Sequence, residues 1–225
     1  MKIKVFFFLL SFSLSTFAQT NQVPKLVVVN SYNQYLATVK TNANNELIEI
    51  KKAIPNIKLD IRYATKNNFM QQAMYKQARA FARKPVVESL KKIQAELNKK
   101  GYGLKIFDGY RPYEITVAFY KKASDKNFVA NPAKGSKHNR GCAVDLTIIN
   151  LKTGKELAMA TPYDSFSAAA AANYKQVTPE VKKNRDFLIA TMKKYKMNVL
   201  ENEWWHYDFS GWQKYDLMDI PFEKL

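Results

Sequence analysis

Among its 225 residues the chain has one cysteine, Cys142, and two histidines, His138 and His206. A single cysteine excludes an internal disulfide framework, so stability has to come from packing. Set between Gly141 and Ala143, Cys142 itself reads as a small buried side chain rather than a nucleophile. Two histidines mean that any zinc site must draw on this pair, on carboxylates or on the one thiol. Acidic residues are also scarce: 19 Asp and Glu stand against 36 Lys and Arg, a formal net charge of +17. The lysines are spread along the chain, with only short pairs such as Lys99-Lys100 and Lys193-Lys194, and read as a solvated face. Specific nucleic-acid binding is therefore not expected, whereas a loose association with anionic envelope polymers or lipid headgroups is.

Long apolar runs are missing as well, apart from the stretch Val5 to Phe12, interrupted only by Ser11. It falls short of the roughly 20 residues that cross a bilayer. Lys2 and Lys4 precede it and the small residues Thr16 and Ala18 follow it, the pattern of a secretory signal peptide over residues 1–18 cut after Ala18. No cysteine stands there to invite lipid attachment. Export to the periplasm or medium is expected, with no transmembrane segment in the mature chain and a formal charge near +15 once Lys2 and Lys4 are gone.

No repeat or low-complexity linker divides the remainder, apart from a short alanine run at 168–172. We read one α+β domain over residues 54–225, preceded by an N-terminal extension, 19–53, of unclear role. Within that extension 26–29 and 35–39 are short apolar, β-branched stretches, and 42–45 is a loop. Residues 57–63 alternate like a strand ending at Tyr63. Helical spacing of Val86, Leu90, Ile93 and Leu97 predicts a helix over 85–100, stopped by Gly101. A strand at 104–107 leads into Asp108-Gly109-Tyr110-Arg111-Pro112, and Pro112 opens the next helix. The polar stretch 123–139 delivers His138 on a loop.

Residues 143–149 read as a strand that carries Asp145 on one face with Ala143 and Thr147. A carboxylate there is costly unless paired or bound to a cation. Thr178-Pro179-Glu180 has the cap, first-turn proline and early acid of a helix start. Residues 203–209 are aromatic enough for a central strand. On a regular strand Glu203 and His206 face opposite sides, so Glu203 is expected in the turn just before it.

Each histidine thus sits in a chemically loaded segment: Ser136-Lys137-His138-Asn139-Arg140-Gly141-Cys142-Ala143-Val144-Asp145 and Glu203-Trp204-Trp205-His206. Two imidazoles, an aspartate and a nearby glutamate match the needs of a mononuclear hydrolytic zinc centre: three protein ligands, an open position and a carboxylate base. The helical His-Glu-x-x-His arrangement is absent, because the histidines are far apart on loop and strand.

Ser136, His138, Gly141, Ala143 and Asp145 also complete a Ser-x-His-x-x-Gly-x-Ala-x-Asp signature. With the blocks Asp60-Ile61-Arg62-Tyr63-Ala64-Thr65-Lys66-Asn67-Asn68-Phe69, Asp108 to Pro112 and Glu203 to Tyr207, the chain resembles the D-alanyl-D-alanine dipeptidases of the VanX type, among the zinc D,D-peptidases. The matching blocks run from about Leu59 to Tyr207. The resemblance implies a small α+β domain, a central antiparallel sheet flanked by helices, with one Zn2+ per chain held by His138, Asp145 and His206. It further implies Glu203 as catalytic base and later acid, Arg111 as the group that stabilises the transition state, and Tyr63, Ser136 and Asp164 as residues that hold the dipeptide. Asp164 lies in a loosely matching stretch, and the alternative for Arg111 is a surface ion pair with Asp108 or Glu114. The expected reaction is zinc-dependent hydrolysis of D-alanyl-D-alanine to free D-alanine in wall-peptide turnover or recycling. A D,D-carboxypeptidase or wall endopeptidase would use the same metal core in a more open groove. A zinc-stabilised domain that only binds wall fragments would have no need of Glu203.

Overall fold

The computed structural model describes residues 26–225, so the expected signal peptide lies outside the described residues. In chain order the elements are β1 (Val28–Val29), α1 (Tyr32–Thr41), β2 (Leu47–Glu49), α2 (Ile50–Ala53), β3 (Lys58–Leu59), β4 (Phe81–Arg83), α3 (Lys84–Asn98), β5 (Tyr102–Asp108), α4 (Tyr113–Lys122), β6 (Ala143–Asn150), α5 (Pro179–Lys194), β7 (Met197–Leu200), β8 (Glu203–Phe209) and β9 (Leu217–Met218). Five strands form the central sheet in the order β3-β5-β6-β8-β7. The pairings β5–β6, β6–β8 and β8–β7 are antiparallel, as expected, while the two-residue β3 joins the edge of β5 in parallel. Two small ribbons, β1–β9 and β2–β4, lie outside this sheet.

Residues paired across a sheet share a face, so the register sorts the apolar side from the chemical one. Leu104 pairs with Ile148 and Ile106 with Leu146, and all four are fully buried. On the opposite face, Asp145 pairs with His206 and Ala143 with Asp208. A register shift between Ile106 and Asp108 then brings Asp108, not Phe107, opposite Asp145. This is what a bulge does: one extra residue re-aims every side chain beyond it. Against the sheet packs α3, whose Val86, Leu90, Ile93 and Leu97 are wholly buried at the spacing read from the sequence, with Val87 enclosed beside them. Thr178 caps α5, accepting from the Val181 amide at 3.3 Å, with Pro179 in the first turn.

Three local expectations change. Over 57–63 only Lys58–Leu59 is strand, because the chain turns into a 3-10 helix, Arg62–Ala64, that carries Tyr63. Residues 35–39 are helical within α1, where the Ser31 side chain caps the Gln34 amide; the local cap outweighs β-branched propensity. The loop read at 42–45 holds a 3-10 turn, Ala43–Asn45.

The described part of the N-terminal segment packs into the common core. Tyr35 is buried and its hydroxyl accepts from the Leu47 amide at 2.8 Å, β2 pairs with β4, and Ile50 is fully enclosed. Arg79 holds Glu49 through two hydrogen bonds, 3.1 and 2.8 Å, and reaches the backbone carbonyls of Phe222 and Leu225. Among the described residues, no helix is long and apolar enough to cross a membrane.

Candidate metal centre and active site

Three atoms converge on the chemical face of the sheet. His138 Nε2 lies 3.1 Å from His206 Nδ1 and 3.3 Å from Asp145 Oδ1, and His206 Nδ1 lies 3.1 Å from the same oxygen. All three residues are buried, and Asp145 Oδ1 has no hydrogen-bond partner among the described residues. Tetrahedral ligands held about 2.0–2.1 Å from zinc stand about 3.3–3.4 Å from one another, so the triangle has the size of one face of such a site.

The far side of each ligand is tied down. His138 Nδ1 meets the Gly109 carbonyl at 2.7 Å, and His206 Nε2 meets Asp208 Oδ1 at 2.9 Å. Both partners are acceptors, so each ring donates outward and, when neutral, turns its lone pair into the triangle. Tyr163 donates its hydroxyl to Asp145 Oδ2 at 3.0 Å, leaving Oδ1 to face the imidazoles. Two lone pairs and a carboxylate oxygen facing one another repel unless a cation or proton sits among them. The residues fit a divalent metal ion with N and O preference on that ground.

The electrostatics agree. Burial raises the Asp145 carboxyl, but His138 and His206 outweigh it and hold the group well below the usual range. For His206 burial disfavours the cation, yet the carboxylates of Asp145 and Asp208 raise the ring to about 10. A divalent ion would displace that proton.

Around the triangle lies a cleft of about 310 Å3 whose lining includes Tyr63, Arg111, Ser136, Asp164 and Glu203. Glu203 is the first residue of β8, just after a tight turn with a register shift at Val199/Leu200. Its carboxylate thereby reaches 3.8 Å from His206 Nδ1, close as expected although the residue belongs to the strand. Burial pushes its carboxyl up to about 7.

Arg111 is nearly enclosed, its Nε and Nη2 donating to Asp108 Oδ2 at 3.0 and 2.7 Å, and Nη2 lies 3.9 Å from Asp145 Oδ2. The ion pair with Asp108 that was an alternative to an active-site role is present, but inside the cleft wall. Asp108 is held in turn by Tyr75, whose hydroxyl donates to Oδ1 at 2.9 Å. The guanidinium also lies over the rings of Phe119 and Tyr63, 4.7 and 5.4 Å from their centroids.

At the other end of the cleft Tyr63 donates to both oxygens of Asp164, 3.0 and 3.1 Å. Burial raises the Asp164 carboxyl to about 6, and its backbone is left-handed at φ 65°. Ser136 is buried, and its hydroxyl accepts from the His138 amide at 3.2 Å, so it braces the ligand turn as well as lining the cleft. Cys142 is fully buried and burial pushes its thiol up to about 12, as a packing role requires.

All eight residues singled out from the sequence therefore line one cleft or its metal triangle. Sequence reading missed the layer behind them: Tyr163, Asp208 and the Gly109 carbonyl, with Asp108 considered only as a salt-bridge partner. Asp208 had a signal, since two residues after His206 on a strand it shares that residue's face. Tyr163 had none beyond adjacency to Asp164, because its contact with Asp145 spans 18 residues and depends on the fold.

The Peptidase_M15 family, described as D-ala-D-ala dipeptidase, matches residues 43–222. The D-alanyl-D-alanine dipeptidase of Escherichia coli (strain K12) is 29% identical over 177 residues, 79% of this chain and 91% of that relative. The D-alanyl-D-alanine dipeptidase of Enterococcus faecalis (strain ATCC 700802 / V583) is 26% identical over 186 residues, covering 72% and 91%. Among solved structures, a vancomycin-resistance D,D-pentapeptidase VanY variant in complex with Zn(II) aligns with TM-score 0.36 at 19% identity, over 60% of this chain and 75% of that one. The LD-carboxypeptidase LdcB aligns with TM-score 0.39 at 22% identity, over 60% and 61%. With four-fifths of its length inside the family match, and the residues of that match gathered in one cleft, this chain belongs to the Peptidase_M15 family of D-ala-D-ala dipeptidases.

Proposed function

We propose that the protein hydrolyses the D-alanyl-D-alanine dipeptide to free D-alanine, using one zinc ion held by His138, Asp145 and His206. The observation that carries this reading is the triangle of ligand atoms at 3.1–3.3 Å with a raised carboxyl, Glu203, on its cleft side. When bound, zinc supplies Lewis acidity toward a water and the scissile carbonyl.

The chain's own groups do the rest. Glu203, whose carboxylate stands on the cleft side of the triangle, takes a proton from the attacking water and returns it to the departing amine. The Arg111 guanidinium, fixed by Asp108 and by the aromatic rings beneath it, stabilises the negative charge that grows on the carbonyl oxygen. Asp164 offers a carboxylate to the substrate's free ammonium, and Tyr63 orients that carboxylate. Ser136 lies on the ligand turn, where its hydroxyl reaches the same cleft. A charged receptor for the free amino end favours a dipeptide over longer or blocked peptides, because an unpaired buried Asp164 is costly.

The signal-peptide reading places this activity outside the cytoplasm, on dipeptide released from wall material, which favours recycling or remodelling. Incubating purified protein with D-Ala-D-Ala, with and without a chelator, tests the proposal. Release of D-alanine that stops on chelation and returns with zinc supports it. No release, or release that ignores the chelator, overturns it. Efficient cleavage of N-acetyl-D-Ala-D-Ala would instead make the protein a carboxypeptidase.

A further inference from the structure

The ligand His206 is backed by a charged pair that the reaction as described does not use. Asp208 follows it by two residues on β8, so both side chains leave the strand on the same face, and opposite Asp208 the register places the small Ala143. In the resulting space Asp208 Oδ1 accepts from His206 Nε2 at 2.9 Å, while Oδ2 accepts from the Lys137 ammonium. The Asp208 side chain is 9% exposed and that of Lys137 31%, so the carboxylate is buried and its only cationic partner among the described residues, besides the ring itself, comes from the cleft side. Lys137 immediately precedes the ligand His138 and lies 5.3 Å from the centroid of Trp212.

We propose that Asp208 and Lys137 are positioning residues for the metal centre: Asp208 fixes the orientation and tautomer of His206, and Lys137 locks Asp208 while clamping the His138 turn to β8. The inference rests on the metal-centre reading given above. Its physical basis is that an imidazole ligand with an unrestrained ring loses orientation, and the outer partner of a metal-bound histidine commonly sets affinity by 10–100-fold. A buried carboxylate left without Lys137 would also be free to turn toward solvent, since a buried charge needs a partner. One lysine thus couples the two histidine ligands, which arrive from separate parts of the chain.

Zinc is titrated into chelator-stripped full-length protein in competition with a chromophoric chelator, and the unfolding midpoint of each stripped protein is recorded alongside. Asp208→Ala is expected to weaken zinc binding about 10–100-fold, and Asp208→Asn, which keeps an acceptor oxygen, to recover most of it. Lys137→Met is expected to weaken binding several-fold and Lys137→Arg to restore it. Zinc affinity in Asp208→Ala and Lys137→Met equal to that of the unaltered chain overturns the inference. So does a loss that the conservative variants do not rescue, or one matched by an equal loss of fold in the stripped protein. Failure of the unaltered chain to bind zinc would sink the metal-centre reading itself, and is told apart by that control.

Discussion

Replacing Glu203 with Gln should move activity and stability in opposite directions. General acid–base catalysis contributes about 10²–10⁴ in rate, so kcat should fall by that factor, about 3–5 kcal/mol of barrier. Zinc should stay, because the Glu203 carboxylate stands 3.8 Å from His206 Nδ1, outside the 3.1–3.3 Å triangle. In the metal-stripped protein, burial holds this carboxyl at about 7 instead of its ordinary 4.5. Below that ordinary value Glu203 is protonated folded and unfolded, and contributes no pH dependence. Between about 4.5 and 7 the folded state alone keeps the proton, so stability falls as pH rises, and above 7 the full cost is present. The upper limit is about 3 kcal/mol for that displacement. Gln carries no charge to desolvate but brings a buried amide, so the net gain at pH 8 should be on the order of 1–3 kcal/mol, vanishing near pH 4. Urea unfolding of stripped protein at the two pH values, together with zinc content and turnover, makes the measurement. If the variant loses zinc, or is less stable than the parent at pH 8, Glu203 is a ligand or a structural residue and the assignment of the base is wrong.

Other perturbations reach the supporting layer. Asp108→Asn removes the charge that holds Arg111 in the cleft wall, and should cost about 3 kcal/mol in thermal unfolding while lowering kcat with zinc retained; an unchanged midpoint would mean the pair is solvated. Gly109→Ala puts a Cβ 2.6 Å from the Phe81 carbonyl oxygen, against the strand whose carbonyl receives the Tyr110 amide. It should destabilise the fold by about 1–3 kcal/mol and displace the carbonyl that orients His138, seen as weaker zinc binding. Glu49 is held at about 2 chiefly by its hydrogen bonds to Arg79. Its stabilisation is present above the ordinary value of 4.5 and lost as pH falls toward 2. After allowance for solvent screening this is on the order of 1 kcal/mol, and Glu49→Gln should remove that part of the acid sensitivity in urea melts at pH 5 and 2.5.

Legibility followed locality. The helix α3, the cap and proline of α5, and the strands β6 and β8 were readable because caps and side-chain periodicity are properties of neighbouring residues. Tyr63 shows the limit: alternation over 57–63 is genuine, but the chain leaves the sheet edge after β3 and turns, placing Tyr63 over Asp164, 101 residues away. The stretch 35–39 looked β-like by composition, and the Ser31 cap made it helix. Asp108 was the subtler case. Only the bulge after Ile106 turns it toward Asp145 and Arg111, and no count along the sequence reveals a bulge.

From the sequence alone came the inventory of the site: two histidines, each in a motif whose residue types suit zinc, and a carboxylate too costly to bury without a cation. Chemistry of this kind is local, since which groups can ligate, donate or accept is a property of the side chains. Tertiary structure decided what those groups can do together. It alone set the 3.1–3.3 Å triangle, chose the outward partners that turn each ring's lone pair inward, and placed Asp208 behind His206 with Lys137 bound to it. The reason is register: antiparallel pairing of β6 with β8 brings Asp145 beside His206, although 60 residues of intervening chain lie between them, and register is fixed by long-range burial that no local pattern contains.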